Sequence, residues 1–161
     1  MALTLTENSV DDLNRELFDK LLRSGSVIFP KKGEATELRA VTLELREPRS
    51  RLSRTATRGR LFSCLGELCW YLSGSADVDA IAYYIPEYHE YAVNNRVPSA
   101  YGPRLRGFDG IDQLQNIVKM LKAHSVTRKA VIQIFDHDDL ALEHQEVPCT
   151  CTLQFLVRDG A

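Results

Sequence analysis

The stretch Pro148-Cys149-Thr150-Cys151-Thr152-Leu153-Gln154-Phe155 joins a proline and two cysteines to a segment with strand character. Cys151, Leu153, Phe155 and Val157 alternate with polar or smaller residues, which is the pattern of a half-buried strand. Pro148 fixes the backbone at the start of this strand and cannot extend its hydrogen-bond ladder. A thiol at this point is well placed to act as a nucleophile. Because free cysteines are also common in protein cores, the stretch by itself leaves both roles open.

Length and composition indicate one globular domain. The chain has 161 residues, of which 44% are hydrophobic and 26% charged, as is ordinary for such domains. A net charge of −2 argues against nucleic acid or an acidic membrane as a partner. Residues 1–10 lack the features of a signal peptide, and no apolar run reaches the ~20 residues that span a bilayer. We therefore expect a cytoplasmic protein that binds neither nucleic acid nor membrane.

The cysteines give no indication of a metal site. Their spacings do not match a zinc ribbon or finger, and in a reducing cytosol they should be free thiols; they are Cys64, Cys69, Cys149 and Cys151. We therefore expect no bound metal.

The order of helices and strands predicts an α+β fold. Apolar residues at helical spacing predict helices over 9–24, with Ser9 as N-cap and Gly25 as the stop, and over 61–72, 77–84 and 112–123. Alternation predicts strands over 37–45, 129–135 and from Cys151 onward, with a polar, acidic connector over 136–146. The helix over 61–72 is apolar on nearly all sides, so we expect it to be buried. Interleaved elements without a strict βαβ repeat favour the α+β class.

Three features have both a structural and a functional interpretation. Glu67 is an acid inside an apolar helix, where it is either an anchor or a group that moves protons. Residues 46–60 include six arginines, which suit a solvated loop or a mobile anion-binding loop. Tyr88 and Tyr91 lie at helical spacing, which indicates packing more often than a planar ligand between the rings. The residues alone leave these alternatives open.

Five motifs, taken in order, resemble the thymidylate synthase and pyrimidine nucleotide hydroxymethylase superfamily. They are Gly66-Glu67-Leu68-Cys69-Trp70-Tyr71-Leu72, Ala100-Tyr101-Gly102-Pro103-Arg104, Asp112-Gln113-Leu114, Thr127-Arg128-Lys129, and Pro148-Cys149 with Gln154-Phe155. The resemblance implies an α+β, thymidylate synthase-like fold, with a mixed sheet packed against helices and one sheet face used for homodimerisation. It covers only the N-terminal part of such an enzyme. We therefore expect residues 1–161 to form a single domain that is truncated on its C-terminal side.

The resemblance also implies a reaction. In this superfamily a cysteine thiolate adds to C6 of a pyrimidine nucleoside monophosphate, and C5 then takes a one-carbon unit from 5,10-methylenetetrahydrofolate. Hydride transfer from the folate gives a methyl group, as in the conversion of dUMP to dTMP, and capture of water gives a hydroxymethyl group. We expect methylation of dUMP, with hydroxymethylation of dCMP, CMP or UMP as the alternative. A truncated nucleotide-binding or dimerisation module is a third hypothesis, and residues 1–161 alone should show little turnover.

Residue roles are carried over from the matching positions. Cys149 matches the nucleophile, which leaves Cys151 as a core residue, and Glu67 and Tyr101 match groups that handle protons near the pyrimidine. The other implied roles are phosphate binding by Arg128 and Lys129, which reach the partner's phosphate across the dimer, and by Lys31 or an arginine of 49–54; folate binding by Tyr88 and Tyr91; and nucleotide binding by Gln154. Departures from the usual residues, among them Thr150 in place of histidine, indicate a divergent branch.

Overall fold

The computed structural model describes residues 2–30, 33–50, 61–141 and 146–158. The chain divides into an N-terminal unit, Met1–Gly59, and a C-terminal unit, Arg60–Ala161. Helices are combined with small sheets, which confirms the expected mixture of α and β elements. The described residues form three separate two-stranded sheets, and not the one mixed sheet that the resemblance implies. No helix within the described ranges is both long enough and apolar enough to cross a membrane.

The N-terminal unit pairs its first strand with its last. Strand β1 (Leu3–Glu7) runs parallel to β4 (Val41–Leu45), and β2 (Ser26–Ile28) runs antiparallel to β3 (Ala35–Glu37). Helix α1 (Val10–Ser24) connects β1 to β2. Leu5 of β1 and Leu13 of α1 are buried, so the helix covers the first strand with apolar contacts.

Helix α1 begins and ends where its capping residues predict. The Ser9 hydroxyl accepts the backbone N–H of Asp12 at 3.2 Å, which satisfies one of the free donors at the helix N-terminus. At the other end, the N–H of Gly25 donates to the Leu21 carbonyl at 2.9 Å. A Cβ atom at residue 25 would lie 2.4 Å from Cγ2 of Thr36, so the close approach of β3 requires glycine here. The predicted helix and its stop are confirmed.

The predicted strand over residues 37–45 is confirmed over Val41–Leu45 but is not continuous. The chain forms β3 and β4 instead, separated by a turn in which Ala40 adopts a φ of 54°. The two strands have different partners, since β3 pairs with β2 and β4 pairs with β1. Alternation along a sequence reports a strand-like backbone but not its partner, so it could not detect this change. Strand β1 was not predicted, although Leu3 and Leu5 alternate with threonines.

The C-terminal unit contains five helices, a 3-10 helix and two strands among its described residues. In chain order they are α2 (Leu61–Ser73), α3 (Val78–Ala82), the 3-10 helix Pro86–Tyr91, α4 (Tyr101–Arg106), α5 (Gln113–Ala123), β5 (Val131–Gln133), α6 (Asp138–Ala141) and β6 (Thr152–Gln154). The carboxylates of Asp77 and Asp112 cap α3 and α5, which confirms the helices predicted there. Part of the predicted connector over 136–146 is helical as α6, and its Asp139 forms a buried ion pair with Arg104.

Two groups of buried residues form the core of this unit. The first joins α2, α3 and the segments that follow, and consists of Trp70, Ala76, Val78, Ile81, Ala82, Val97 and Ala100. The second joins α4, α5 and β5, and consists of Leu105, Ile117, Ala130, Ile132 and Ile134. Tyr71 packs against both groups. The C-terminal end of α2 therefore lies where the two cores meet.

Helix α2 is less buried than its apolar sequence predicts. Among its residues only Gly66 and Trp70 are buried, and Phe62 is 79% exposed. The helix packs against α3 and α4 along one side. Its remaining apolar side chains stay exposed because these two short helices cover only that side.

The prediction that Cys151 is a core residue is also wrong. Cys151 is exposed, as are all three residues of β6. Strand β6 pairs antiparallel with β5, in the register Val131–Gln154, Ile132–Leu153 and Gln133–Thr152. Ile132 is fully buried whereas Leu153 beside it is not, so the core packs against β5 and leaves β6 at its margin.

Candidate active site

An open cleft of about 210 Å³ lies in the C-terminal unit. Aromatic side chains from α2, the 3-10 helix and α4 form one wall, and the segment that leads into β6 forms the other. The lining residues are Trp70, Tyr71, Tyr88, Tyr91, Ser99, Ala100, Tyr101, Glu146, Val147, Pro148 and Cys149. The cleft therefore brings together the aromatic residues and the cysteine that the sequence singles out.

Cys149 lies in the cleft lining beside buried Pro148. The thiol is exposed and forms no disulfide, so it is accessible to a ligand in the cleft. A thiolate at such a position is a nucleophile that adds to electron-poor carbon.

Tyr101 is tied to the residue that follows Cys149. Its hydroxyl donates to Oγ1 of Thr150 at 3.1 Å and accepts the backbone N–H of Thr150 at 3.2 Å. Tyr101 begins α4, where it also lines the cleft. These two hydrogen bonds hold the phenol oxygen close to the backbone of the cysteine segment. Thr150, the neighbour of Cys149, thus fixes Tyr101.

Glu67 lies behind the aromatic wall. Its Oε1 accepts the hydroxyl of Tyr71, one helical turn further along α2, at 2.8 Å, and it also accepts the hydroxyl of Tyr88. The ring of Tyr71 stacks on Tyr101 with centroids 4.9 Å apart and an angle of 21° between the planes. Tyr71 therefore links the carboxylate of Glu67 to Tyr101, while Glu67 itself is absent from the cleft lining.

Burial makes both tyrosines weaker acids. The pKa of Tyr71 is raised well above its usual value of 10.0, first by burial and then by hydrogen bonds to Tyr88 and Glu67. Burial, followed by the hydrogen bond to Glu67, raises the pKa of Tyr88 to about 12. Both phenols therefore remain protonated near neutral pH, in the form that donates to the carboxylate.

Trp70, Tyr88 and Tyr91 build the aromatic wall. The indole Nε1 of Trp70 donates to the Asp77 carbonyl at 3.0 Å, and its ring meets Tyr88 edge-on at 5.3 Å. The rings of Tyr88 and Tyr91 are almost perpendicular, with centroids 6.3 Å apart. Because of this angle the two tyrosines cannot sandwich a flat ligand between them.

A buried ion pair lies in α4 and α6, outside the cleft lining. The guanidinium of Arg104 donates two hydrogen bonds of 2.7 Å to Asp139, one to each carboxylate oxygen. It also donates to the Ile134 carbonyl at 2.8 Å, and the side chains of the two charged residues are only 11% and 5% exposed. This bidentate pair fastens the turn after β5 to α4. Removal of Arg104 would take both of these hydrogen bonds from a buried carboxylate, which is costly.

Three further residues that the sequence predicts for the site lie apart from the cleft lining. Arg128 and Lys129 are exposed just before β5, and Gln154 of β6 donates to the Arg128 carbonyl at 3.4 Å. Lys31 and most of the arginine-rich segment fall outside the described residues. No group of three or more His, Cys, Asp or Glu residues in the described ranges could hold a metal ion.

Comparison with known proteins assigns the chain to a family. The thymidylate synthase family model matches residues 35–161, which is most of the chain. The chain belongs to the thymidylate synthase family. The resemblance carried by the five motifs is thereby confirmed.

Individual relatives of this thymidylate synthase family member are distant. A deoxyuridylate hydroxymethyltransferase of Bacillus phage SP01 is 26% identical over 98% of this chain, which spans 45% of that protein. A "Putative thymidylate synthase" of Methanothermobacter thermautotrophicus is 26% identical over 99% of this chain and 71% of its own length. A deoxyuridylate hydroxymethyltransferase of Pseudomonas phage M6 is 31% identical over 60% of this chain and 28% of its own length. The chain thus spans less than half of either phage relative.

Several residues of this family member's site were not assigned from the sequence. The i,i+4 spacing of Glu67 and Tyr71 on a helix could have indicated their contact. Nothing in the sequence indicated the ion pair of Arg104 with Asp139, because the two residues are far apart in the chain and meet only through the fold.

Proposed function

We propose that this protein transfers a one-carbon unit to C5 of a pyrimidine nucleoside monophosphate through a covalent adduct with Cys149. The observation that carries the proposal is the convergence of the Cys149 thiol, the tethered hydroxyl of Tyr101 and an aromatic wall in one cleft. The family match makes this chemistry the best fit to those groups. Deoxyuridylate is the proposed substrate, because two relatives carry it in their names.

Each step needs a group of the appropriate chemistry. The Cys149 thiolate forms a bond to C6, which makes C5 nucleophilic, and the same C6–S bond breaks when the product leaves. The Tyr101 oxygen acts at the C5 proton once the one-carbon unit is attached, and Glu67 orders water and moves protons near the base. Methylenetetrahydrofolate supplies the one-carbon unit and, for a methyl product, the hydride. Tyr88 and Tyr91 offer it apolar ring surface.

The same Cys149 adduct can lead to a methyl or to a hydroxymethyl product. Methylation gives dTMP and is our first choice. Hydroxymethylation replaces the hydride by water at the same carbon, and it is supported by the two deoxyuridylate hydroxymethyltransferases among the relatives. The mass of the product distinguishes the two outcomes directly.

Binding of the nucleotide is proposed to use basic residues outside the cleft. We propose that Arg128 and Lys129 bind the phosphate in the partner's site of a homodimer, with Lys31 as a further phosphate ligand. Their exposure leaves both side chains available for such a contact. Gln154 is proposed to contact the nucleotide, since it lies on the strand that follows Cys149.

The test compares two neighbouring cysteines in the protein at its full natural length. Tritium release from C5-labelled dUMP is measured with and without the folate, for the wild type, Cys149→Ala and Cys151→Ala. We expect Cys149→Ala to lose release by at least about a thousandfold, because no other group forms the C6 adduct. Cys151→Ala is the matched control, since Cys151 is exposed two residues away and outside the cleft lining.

Retention of release by Cys149→Ala would contradict the proposal. Release from labelled dCMP but not from dUMP would overturn the choice of deoxyuridylate. If neither nucleotide gives release in the wild type, a binding module becomes the better hypothesis.

A further inference from the structure

The hydroxyls of Tyr71 and Tyr88 lie between Glu67 and the cleft. Both tyrosines line the cleft, whereas Glu67 does not. Both hydroxyls donate to the same carboxylate oxygen, Oε1, and the two phenol oxygens are 3.4 Å apart. These are the hydrogen bonds that the described residues donate to the Glu67 side chain. The two phenols therefore connect Oε1 of Glu67 to the cleft lining.

Other contacts hold the two phenols in place. Tyr71 stacks on Tyr101 at 4.9 Å and tilts against Trp70 at 5.7 Å. Tyr88 meets Trp70 edge-on, and the indole of Trp70 is fixed by its hydrogen bond to the Asp77 carbonyl. Because the rings cannot turn freely, their hydroxyls fix the direction of the carboxylate as well. A carboxylate that accepts two such donors loses little further entropy when it acts.

The position of Tyr71 also joins two functional groups. Its hydroxyl contacts Glu67, and its ring face contacts Tyr101, whose own hydroxyl is bonded to Thr150 beside Cys149. A shift of Tyr71 would therefore move both groups that are proposed to handle protons at the base.

We propose that Tyr71 and Tyr88 are positioning residues: their hydroxyls hold the Glu67 carboxylate at the cleft wall and fix its position relative to Tyr101. This role rests on the proposed function. Phenylalanine at either position would keep the ring packing but remove one of the two donors. The hydroxyls, rather than the aromatic rings, are thus the groups that the role requires.

The first experiment tests the hydrogen bond between Tyr88 and Glu67 and does not depend on enzymatic turnover. Tyrosine labelled with ¹³C at Cζ is observed by NMR in the wild type, Glu67→Gln and Tyr88→Phe, the last of which assigns the Tyr88 signal. The pKa of Tyr88 is raised to about 12 by burial and by Glu67. Burial is retained in Glu67→Gln, but removal of the carboxylate charge should let Tyr88 ionise at a lower pH than in the wild type. An unchanged Tyr88 titration in Glu67→Gln would overturn the proposal.

The second experiment measures how the hydroxyls of Tyr71 and Tyr88 contribute to the reaction. C5-tritium release from dUMP is measured for Tyr71→Phe and Tyr88→Phe, with Tyr83→Phe as the matched control because its ring is 83% exposed. For both site variants we expect kcat to fall by about tenfold or more with KM for dUMP nearly unchanged, because proton handling and not ground-state binding is disturbed. The pH profile of kcat should also change shape. Tyr83→Phe should have the same kcat, the same KM for dUMP and the same pH profile as the wild type.

The outcomes separate this role from the proposed function. Normal kcat and an unchanged pH profile in both site variants, with an active wild type, would overturn the positioning role alone. A wild type that releases no tritium would overturn the proposed function, and with it the positioning role of the two tyrosines in the reaction. This holds even where the NMR titration shows the hydrogen bond between Tyr88 and Glu67. Loss of folding is recognised from the NMR spectrum, and the single-hydroxyl changes retain the ring that packs.

Discussion

At Tyr71 one side chain serves the core and the cleft at once. Its ring packs against both groups of buried residues in the C-terminal unit, and its hydroxyl reaches Glu67. Such a residue is sensitive to substitution in two ways, because a change of ring affects packing and a change of hydroxyl affects the polar cluster. Tyr88 shares the second property, with its hydroxyl on the same carboxylate oxygen.

The raised pKa of Tyr88 predicts how stability changes at high pH. The phenol has a pKa of about 12 in the folded protein, against an ordinary value of 10.0, because burial and Glu67 disfavour the phenolate. A raised pKa means that the folded state holds its proton more tightly than the unfolded state. The contribution to stability is therefore complete below pH 10 and is lost as the pH rises through about 12.

We expect Tyr88→Phe to flatten the decline in the free energy of unfolding between pH 10 and about 12. Urea unfolding at several pH values in this window measures the slope for the wild type and for the variant. Tyr83→Phe serves as the control because its ring is exposed. Equal slopes in the wild type and Tyr88→Phe would contradict the assignment of a raised pKa to Tyr88.

Between elements, two glycines allow the close approach that shapes the cleft. A Cβ atom at Gly66 of α2 would lie 2.5 Å from the ring of Tyr84. At Gly102 of α4 it would lie 2.5 Å from the Ser75 carbonyl oxygen, which is backbone and cannot swing away. Because Gly102 directly follows Tyr101, the approach of α4 to the loop after α2 also sets the position of that tyrosine.

We expect Gly102→Ala to destabilise the protein by about 1–3 kcal/mol, because the added methyl forces α4 away from the loop. The higher helix propensity of alanine, worth about 1 kcal/mol, does not offset the clash. Gly107→Ala is the control, since its nearest contact would be the Pro103 carbonyl oxygen at 3.8 Å, and we expect a change of about 0.5 kcal/mol or less. Chemical denaturation measures both, and equal effects would contradict the close-approach explanation.

For the whole molecule, we propose that the homodimer uses the outer face of the sheet of β5 and β6. Adjacent residues of a strand point to opposite faces, and here Ile132 is fully buried while Val131 is 41% exposed. Val131 lies opposite Gln154 in the register, so both belong to the outer face. The homodimer proposed above would bury this face, in keeping with the proposed reach of Arg128 and Lys129 to the partner's phosphate.

We expect the protein at its full natural length to sediment as a dimer. Val131→Lys should shift the equilibrium toward monomer, because burial of a charge in the proposed interface is unfavourable. Val126→Lys is the matched control, since Val126 is also an exposed valine but lies in the turn before β5. Sedimentation velocity over a range of concentrations measures the shift. A monomeric wild type, or a Val131→Lys variant that dimerises like the wild type, would contradict the proposed face.

The sequence by itself determined the capped helices and the family. The caps at Ser9, Asp77 and Asp112 mark helix starts because a side chain and a nearby backbone N–H suffice to form them. Short motifs that resemble the thymidylate synthase superfamily pointed to Glu67, Tyr101 and Cys149, and the family match agrees with that resemblance. These signals are local in the chain, so they can be seen without the fold.

Tertiary structure alone decided what each element packs against. It divided the predicted strand over 37–45 between two partners, left Cys151 exposed at the margin of the core, and paired Arg104 with Asp139. It also placed the hydroxyl of Tyr88 on the carboxylate of Glu67. The reason is physical: partner choice, burial and distant hydrogen bonds depend on contacts between residues far apart in sequence, which periodicity and local propensity do not encode.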